Sequence, residues 1–552
     1  MTTEAEPDPA QSPVANLLAI APPGCGKTEL LARRARHLVT QLEPHQRILA
    51  LTFSNRAKRN LRERLLDALG PQRFRRYVRV TNFHGHAAEI IRAHGRTIGL
   101  DPGAPMPGRS TLDDAIEVYT RGLGSGPAGK RRDEIARALS QAKQGPYDDD
   151  QVRRALVLSG NAYAQQIEVD RQEKGILHYE DLLRHAQRLL GVEAVARLYQ
   201  QHYGAVLVDE FQDLSLQQLD IALSSSSTSR TFVGDPLQGI YTWAGARPTE
   251  VEVALRDLCG EPQRLAMSYR SSPAVLSVVN RVSIALGGAP LHAVSPHTWP
   301  QGGAAASGVF RTGRDEAQWI VDTSTQVLAS NPQATIGVIT RLGWRREPID
   351  AAFTAASHLP RQRWDLAIED SEIIKRIVGS VGLLPRQADM DTVRQAVLDD
   401  VDRNDVEALA QTLDALAEFE TLVAQVGSAS AAVAQLRAQN SHNAIEPGVH
   451  LLNAHTGKGQ QFDWVFLPGL EDFHIPGSRA LTQEQLDEEL RIVLVILSRA
   501  RHGVVVTRAQ SLIAKSGNVW NPDASRWWAG VTDACALSIE NLRAHIAALP
   551  AG

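Results

Sequence analysis

The sequence predicts an α/β fold on parallel sheets, divided into more than one domain. Three observations carry this expectation. An apolar run at 14–20 is followed by a glycine turn and a helix-like stretch at 29–39. Strand-like and helix-like segments then alternate, the pattern of a parallel sheet with crossover helices. With 552 residues the chain is too long for one core, so three or four domains are expected.

Taken in order, residues 47–53 read as a buried strand, 55–69 as a helix and 78–81 as a further strand. From 87 to about 202 the pattern is mainly helical, a helical insertion in the first α/β unit. Alternation returns at 205–209 and 230–235. A second α/β unit starts near Arg270, with strands at 337–340 and 449–453. Between these strands, residues 346–443 are again largely helical and Ala-rich, while the Pro, Gly and Ala content of 295–308 suggests a flexible crossing. The expected division is therefore 1–86 and 203–269 for the first unit, interrupted by 87–202, then 270–345 and 446–552 for the second, interrupted by 346–445.

Composition excludes several classes. The hydrophobic fraction of 43% and charged fraction of 22% are ordinary for a soluble globular protein. No apolar stretch approaches the twenty residues of a membrane span, and the acidic, Pro-bearing start is not a signal peptide, so a cytoplasmic protein without membrane partners is expected. Cys25, Cys259 and Cys535 are isolated, which indicates neither a disulfide framework nor a zinc cluster. A net charge of −4 argues against a uniformly basic nucleic-acid binder. Distribution matters more than the total: Arg56, Lys58, Arg59, Arg62 and Arg64 crowd one segment, and Arg73, Arg75, Arg76 and Arg79 follow. Two such clusters, following closely on the glycine turn after the first apolar run, favour a phosphate-backbone contact.

The most restrictive string is Ala21-Pro22-Pro23-Gly24-Cys25-Gly26-Lys27-Thr28. Glycines without a Cβ let backbone N–H groups wrap a polyphosphate, and the following helix aims its unpaired N–H groups at the same anion. Lys27 is placed to reach the β- and γ-phosphates and the Thr28 hydroxyl to hold Mg²⁺. ATP and Mg²⁺ are the expected cofactors. Asp209 and Glu210 end an apolar strand, where Asp209 suits a metal held through water and Glu210 suits a water attacking the γ-phosphate. The continuation Glu210-Phe211-Gln212-Asp213 narrows this pair much further.

With these residues on the page, the chain resembles the UvrD/Rep group of superfamily 1 helicases. Motif I lies at 21–28, motif Ia at 49–57, and a single-strand-contact motif at 82–84 (Asn-Phe-His). Residues 177–183 resemble the stretch before motif II, 208–213 motif II and 233–246 motif III. Motif IV falls at 269–272, motif V at 455–463 and motif VI at 488–500. The resemblance implies two RecA-like P-loop NTPase domains, each with a mainly helical insertion. It further implies that Pro23, Gly24, Cys25, Gly26, Lys27, Thr28 and Glu29 bind nucleotide, with Gly459 and Gln461 near the ribose. Gln238 senses the γ-phosphate, Tyr269 stacks on adenine, and Arg270 and Arg499 reach the γ-phosphate from the second domain. On the DNA side it implies a track of Phe53, His84 and Trp243, with Thr52, Asn55, Thr456 and the Gly457 amide as backbone-phosphate candidates and Tyr241 and His455 as further DNA-binding residues. Lys27 is expected in a solvated cleft, so that its replacement spares the fold.

The chain departs from the family at several places. Ala244 stands where an arginine usual to motif III would anchor a phosphate, and Gln461 replaces a common glutamate. Leu494 and Ser498 replace tyrosine and threonine in motif VI, and Glu29 replaces an arginine after motif I. The second insertion is short. The expected activity is ATP-driven translocation on single-stranded or tailed duplex DNA, with 3′-to-5′ polarity implied by the resemblance. The competing expectation is a nucleotide-gated regulatory subunit with a nuclease partner, of the Gabija anti-phage type. A repair helicase working with a repair protein is compatible with the same residues.

Overall fold

The protein is described from a computed structural model that covers residues 8–104, 107, 110–121, 123, 125–242, 245–363, 371–385, 388–401, 412–413, 415–416, 419–420, 422–423, 427–435, 445–455, 459–513 and 518–549. Its first sheet contains six strands: β1 Asn16–Ile20, β2 Arg47–Thr52, β3 Val78–Asn82, β4 Tyr203–Asp209, β5 Arg230–Gly234 and β6 Gln263–Arg264. All pair in parallel, in the order β3-β2-β4-β5-β1-β6. The reversal on either side of β4 brings the C-terminal ends of β1 and β4 to one crevice, where open α/β sheets bind ligands.

Both faces of this sheet are covered, and the side chains divide between them with period two. Leu49, Leu51, Val206 and Val208 join the core on one face, while Ile48, Ala50, Ala205 and Leu207 join the core on the other. Helices Phe83–His94 and Asp181–Leu190 pack on the first face and helix Lys27–Val39 on the second. Residues 110–173 form a separate small core from Leu112, Ile116, Ile135, Leu139, Val152, Leu156 and Ile167. A buried charge network ties that unit back to the sheet helices. Lys143 lies 2.9 Å from Glu168 and 3.0 Å from Asp181, and Arg184 donates to Asp181 at 2.7 Å.

A small parallel pair, β7 Met267–Ser268 with β8 His292–Ala293, leads to the second sheet. Its strands are β9 Ala304–Thr312, β10 Thr335–Thr340, β11 Arg361–Arg363, β12 Gly448–Asn453, β13 Phe462–Leu467, β14 Ala500–Ile513, β15 Val519–Trp520 and β16 Leu537–Ser538. The order is β11-β12-β10-β13-β14-β9-β16, with β15 paired antiparallel to the end of β14. Ile336, Val338, Trp464, Phe466 and Val505 face one core, and Ile339, Val465, Leu467, Val504 and Val506 the other.

Two sequence expectations change here. Residues 304–308 are not part of a flexible crossing: Ala304, Ala305 and Ala306 are buried in β9 between β14 and β16. Alanine carries little strand signal of its own, so tertiary packing decides this segment. Within 346–443, expected to be largely helical, β11 adds an edge strand beside β12. Its Arg-Gln-Arg sequence has no apolar alternation to mark it. Beyond it, Ile373, Ile377, Val393, Val397, Leu416 and Phe419 make an independent helical core. Among the described residues no helix is long and apolar enough to cross a membrane.

Candidate functional site

The crevice is built where β1 runs into helix Lys27–Val39. Gly24 and Gly26 have φ of +79° and +84°, a region that L side chains rarely adopt. Gly26 is the helix N-cap and gives no side-chain cap, so the first N–H groups remain directed at the crevice. A Cβ at Gly24 would lie 2.6 Å from the Arg270 Cβ and 2.8 Å from the Ser268 Oγ. Gly24 is therefore required by close packing as well as by backbone angle.

Lys27 Nζ is 2.8 Å from Glu210 Oε2, with the two side chains 12% and 27% exposed. The solvated cleft expected for this lysine is thus replaced by an acidic pocket. Burial opposes its charge, but Glu210, Asp235 and Asp209 outweigh burial and hold the ammonium above its usual pKa. Asp209 ends the fully buried β4. Burial, reinforced by the neighbouring Glu210 charge, pushes its carboxyl up to about 7. Among the described residues no donor reaches the buried Asp209 Oδ1. Glu210 sits at φ +55°, a left-handed conformation that turns its carboxylate back toward Lys27.

Gln212 closes this group. Its Nε2 donates to Glu210 Oε2 at 2.6 Å and its Oε1 accepts from the Asp235 N–H at 2.9 Å. Gln238 Nε2 in turn donates to Asp235 Oδ2 at 2.9 Å. Sequence reasoning assigned no role to Gln212 or Asp235, although both lie inside the quoted strings. The signal was their position beside the acidic pair and the glutamine. Cys25 is buried and its thiol is raised to about 12 by burial and then by Asp235, so it fills space as an inert group.

The segment 269–272 joins this pocket to the second sheet. Tyr269 N–H donates to the Gly24 carbonyl at 2.9 Å, leaving the ring 72% exposed. Arg270 Nη1 donates to the Ser498 carbonyl at 3.1 Å, Ser271 Oγ to Ala500 at 2.7 Å and Ser272 Oγ to His502 at 3.0 Å. Arg270 Nε is buried with no acceptor among the described residues, and burial lowers the guanidinium to about 10. Arg499 follows Ser498 directly, is itself buried, and donates to the Ala454 carbonyl. Pro23 is buried and Thr28 half-buried in the crevice, while Glu29, Gly459 and Gln461 are exposed.

A line of rings crosses the same edge. Phe53 stacks on Tyr241 with centroids 5.5 Å apart, and Tyr241 meets His455 at 6.2 Å. His84 instead stacks on Tyr179 at 4.0 Å. Thr242 Oγ1 donates to Glu488 and Tyr241 Oη to the His455 carbonyl, so both sheets' elements meet here. Thr52 is buried and its hydroxyl donates to the Ser54 carbonyl at 3.2 Å. Asn55 opens helix Asn55–Leu69. Trp243, Ala244, Thr456 and Gly457 lie outside the described residues.

The arginine clusters separate. Helix Asn55–Leu69 starts at the C-terminal edge of β2, whereas helix Pro71–Tyr77 feeds the N-terminal end of β3. Arg73, Arg75 and Arg76 consequently lie at the edge opposite the phosphate loop, not beside the nucleotide site as the sequence suggested. Sequence proximity misled because one intervening helix spans the sheet from edge to edge.

Two α/β units on parallel sheets, with an acidic pocket at a glycine turn, define the P-loop nucleoside-triphosphatase class. Comparison with known proteins narrows the class. A family model described as the UvrD/REP helicase N-terminal domain matches residues 2–258, and one described as the UvrD-like helicase C-terminal domain matches 395–511. The chain is 27% identical to the ATP-dependent DNA helicase UvrD2 of Mycobacterium tuberculosis, over 91% of this chain and 77% of that protein. It is 23% identical to DNA helicase II of Escherichia coli K12 over 91% and 83%, and 31% identical to the ATP-dependent DNA helicase PcrA of Leuconostoc citreum over 48% and 37%. The chain belongs to the UvrD/Rep-like helicase family, whose members are ATP-hydrolysing enzymes.

Proposed function

We propose that the chain is an ATP-driven translocase on single-stranded DNA that unwinds tailed duplexes with 3′-to-5′ polarity. The observation that carries this reading is the segment 269–272. It grips the Gly24 turn with its backbone and the start of β14 with its side chains, so nucleotide state and lobe position are linked by one short strap. The lobes are proposed as 1–86 with 203–269 and 270–345 with 446–552, each interrupted by its helical insertion.

In this reading Lys27 and the loop amides receive the phosphates. The arriving charge competes with Glu210 for Lys27, which frees the Glu210 carboxylate to orient the attacking water. Thr28 and the unpartnered Asp209 Oδ1 suit Mg²⁺, which supplies charge neutralisation on the phosphate oxygens. Arg270 and Arg499 stabilise charge on the transferred phosphoryl group, Gln238 reports its presence, and Tyr269 offers an exposed face to the base. Gly459 and Gln461 serve the ribose. Phe53, Tyr241 and His455 offer stacking or edge contacts to bases, and the resemblance adds His84, Trp243, Asn55 and Thr456 as DNA contacts, whereas Thr52 is buried with its hydroxyl on the Ser54 carbonyl. Strand displacement on 3′-tailed, 5′-tailed and blunt duplexes with ATP tests the proposal. Displacement of the 3′-tailed substrate alone is expected. Preference for the 5′-tailed substrate overturns the polarity, and turnover indifferent to any DNA overturns the motor.

A further inference from the structure

We infer that the edge of the first sheet opposite the phosphate loop carries a second DNA site, which holds the phosphate backbone of a duplex separate from the strand in the track. This goes beyond the translocase reading and rests only on membership of a DNA helicase family.

The site follows from where three strands begin. β3, β2 and β4 lie side by side, and the segments leading into them bring helix Pro71–Tyr77, Arg47 and His202 to one edge. Arg47 ties the group together: its Nη2 donates to the Arg75 and Val78 carbonyls at 3.1 and 2.8 Å. Its buried Nε has no acceptor among the described residues. Arg73, Arg75 and Arg76 are exposed, as is Arg62 one helix earlier. Among the described residues none of these five arginines forms an ion pair, and the neighbouring acids Glu43, Glu63 and Asp67 pair with none of them. Burial, and then the charges of Arg47 and His45, hold His202 below its usual pKa, as an uncompensated positive field does. The chain as a whole has a net charge of −4 and repels DNA, so a polyanion is drawn by a local excess of this kind.

Chemistry selects the ligand. Guanidinium forks match phosphate oxygens with paired N–H donors and keep their charge at any working pH. The two rings of helix Pro71–Tyr77 are already covered. Phe74 is buried with Arg62 over it at 5.2 Å, and Tyr77 is half-buried with Arg76 over it at 5.2 Å. A single strand, which gains affinity by stacking its bases, finds no platform on this helix. A duplex hides its bases and presents one phosphate charge per ~1.7 Å of axis. The seven-residue helix is about 10 Å long, enough to face about six of those charges. β2 runs from Arg47 to Thr52, about 17 Å at ~3.3 Å per residue, and Phe53 of the ring line follows at its far end. The two sites therefore lie on opposite edges of the sheet, and a strand on the rings leaves the arginine edge open to another segment of DNA.

The test is equilibrium binding of a short, blunt, fluorescent duplex to the whole chain over a salt series, with the track filled by excess unlabelled oligo-dT. Wild type is compared with Arg73→Gln/Arg75→Gln and with Arg73→Lys/Arg75→Lys. Both side chains are exposed, and glutamine and lysine match arginine in helix propensity, so the melting temperature stays constant. The glutamine variant is expected to lose about 2 from the slope of log affinity against log salt, at ~0.9 per phosphate contact, and about tenfold in affinity at low salt. The lysine variant keeps the wild-type slope because it keeps both charges. Oligo-dT affinity and DNA-stimulated hydrolysis stay at wild-type values in both. Unchanged duplex affinity and slope in the glutamine variant overturns the second site and leaves the translocase intact. An equal loss of oligo-dT affinity also defeats it, because the arginines then serve the track. Polyglutamate that binds more tightly than the duplex at matched charge replaces the DNA site with one for an acidic protein segment. Wild-type hydrolysis indifferent to oligo-dT, by contrast, strikes the translocase reading and not this edge.

Discussion

Replacing Lys27 by methionine tests the acidic pocket independently of turnover. Methionine keeps most of the aliphatic stem and removes only the charge that faces Glu210 at 2.8 Å, with Asp209 and Asp235 behind it. Breaking a fully buried pair costs about 3–5 kcal/mol, and a surface pair about 0–1. With 12% and 27% exposure this pair lies between the two, at about 2 kcal/mol in the nucleotide-free protein. For a lobe of this size that is roughly 4–8 °C in Tm. The pH dependence follows from Asp209, whose pKa is about 7 in the native pocket. At pH 6 it is already protonated, and losing Lys27 leaves fewer bare carboxylates. At pH 8.5 the variant must hold three carboxylates without a cation or take up a proton. Thermal melts with EDTA and no nucleotide should therefore show a larger loss at pH 8.5 than at pH 6. An equal loss at both, or a smaller one at pH 8.5, refutes the argument.

Other outcomes follow from the same geometry. Asp209→Asn removes a carboxylate whose folded pKa is raised, so wild-type stability is lost as pH climbs from about 4 to about 7. The variant should melt above wild type at pH 8, by less at pH 5, and hydrolyse no ATP in a steady-state assay. Gly24→Ala places a methyl 2.6 Å from the Arg270 Cβ at φ +79°, and should lower Tm while weakening fluorescent-nucleotide binding at least tenfold. Arg345→Met leaves Glu316 and Glu471 buried without their shared cation; a loss of about 3–5 kcal/mol in urea melts is expected.

Much of this architecture is legible in the sequence because its strands are apolar runs between strong punctuators. The helix expected at 55–69 is observed at Asn55–Leu69, where Ser54 caps one end and Gly70 stops the other. The segments that escape are those whose fate depends on neighbours: the alanines of β9, and the Arg-Gln-Arg edge strand β11. In the site, the glycine turn, Lys27, Asp209, Glu210, Gln238 and Arg270 converge as individual residues named from sequence. What sequence could not supply is how the polar groups of the pocket satisfy one another. The Glu210–Gln212–Asp235–Gln238 chain of hydrogen bonds is a property of two separate loops meeting in space.

Steady-state ATP hydrolysis by wild type and Arg270→Ala, each with and without a long single-stranded DNA, probes the link between crevice and track most directly. Wild-type turnover should rise severalfold with DNA. Arg270→Ala should still bind nucleotide yet lose ~10³-fold or more in turnover, with little left for DNA to stimulate. Wild-type turnover unmoved by DNA, or an Arg270→Ala enzyme as fast as wild type, contradicts the strap between the two lobes as the coupling element.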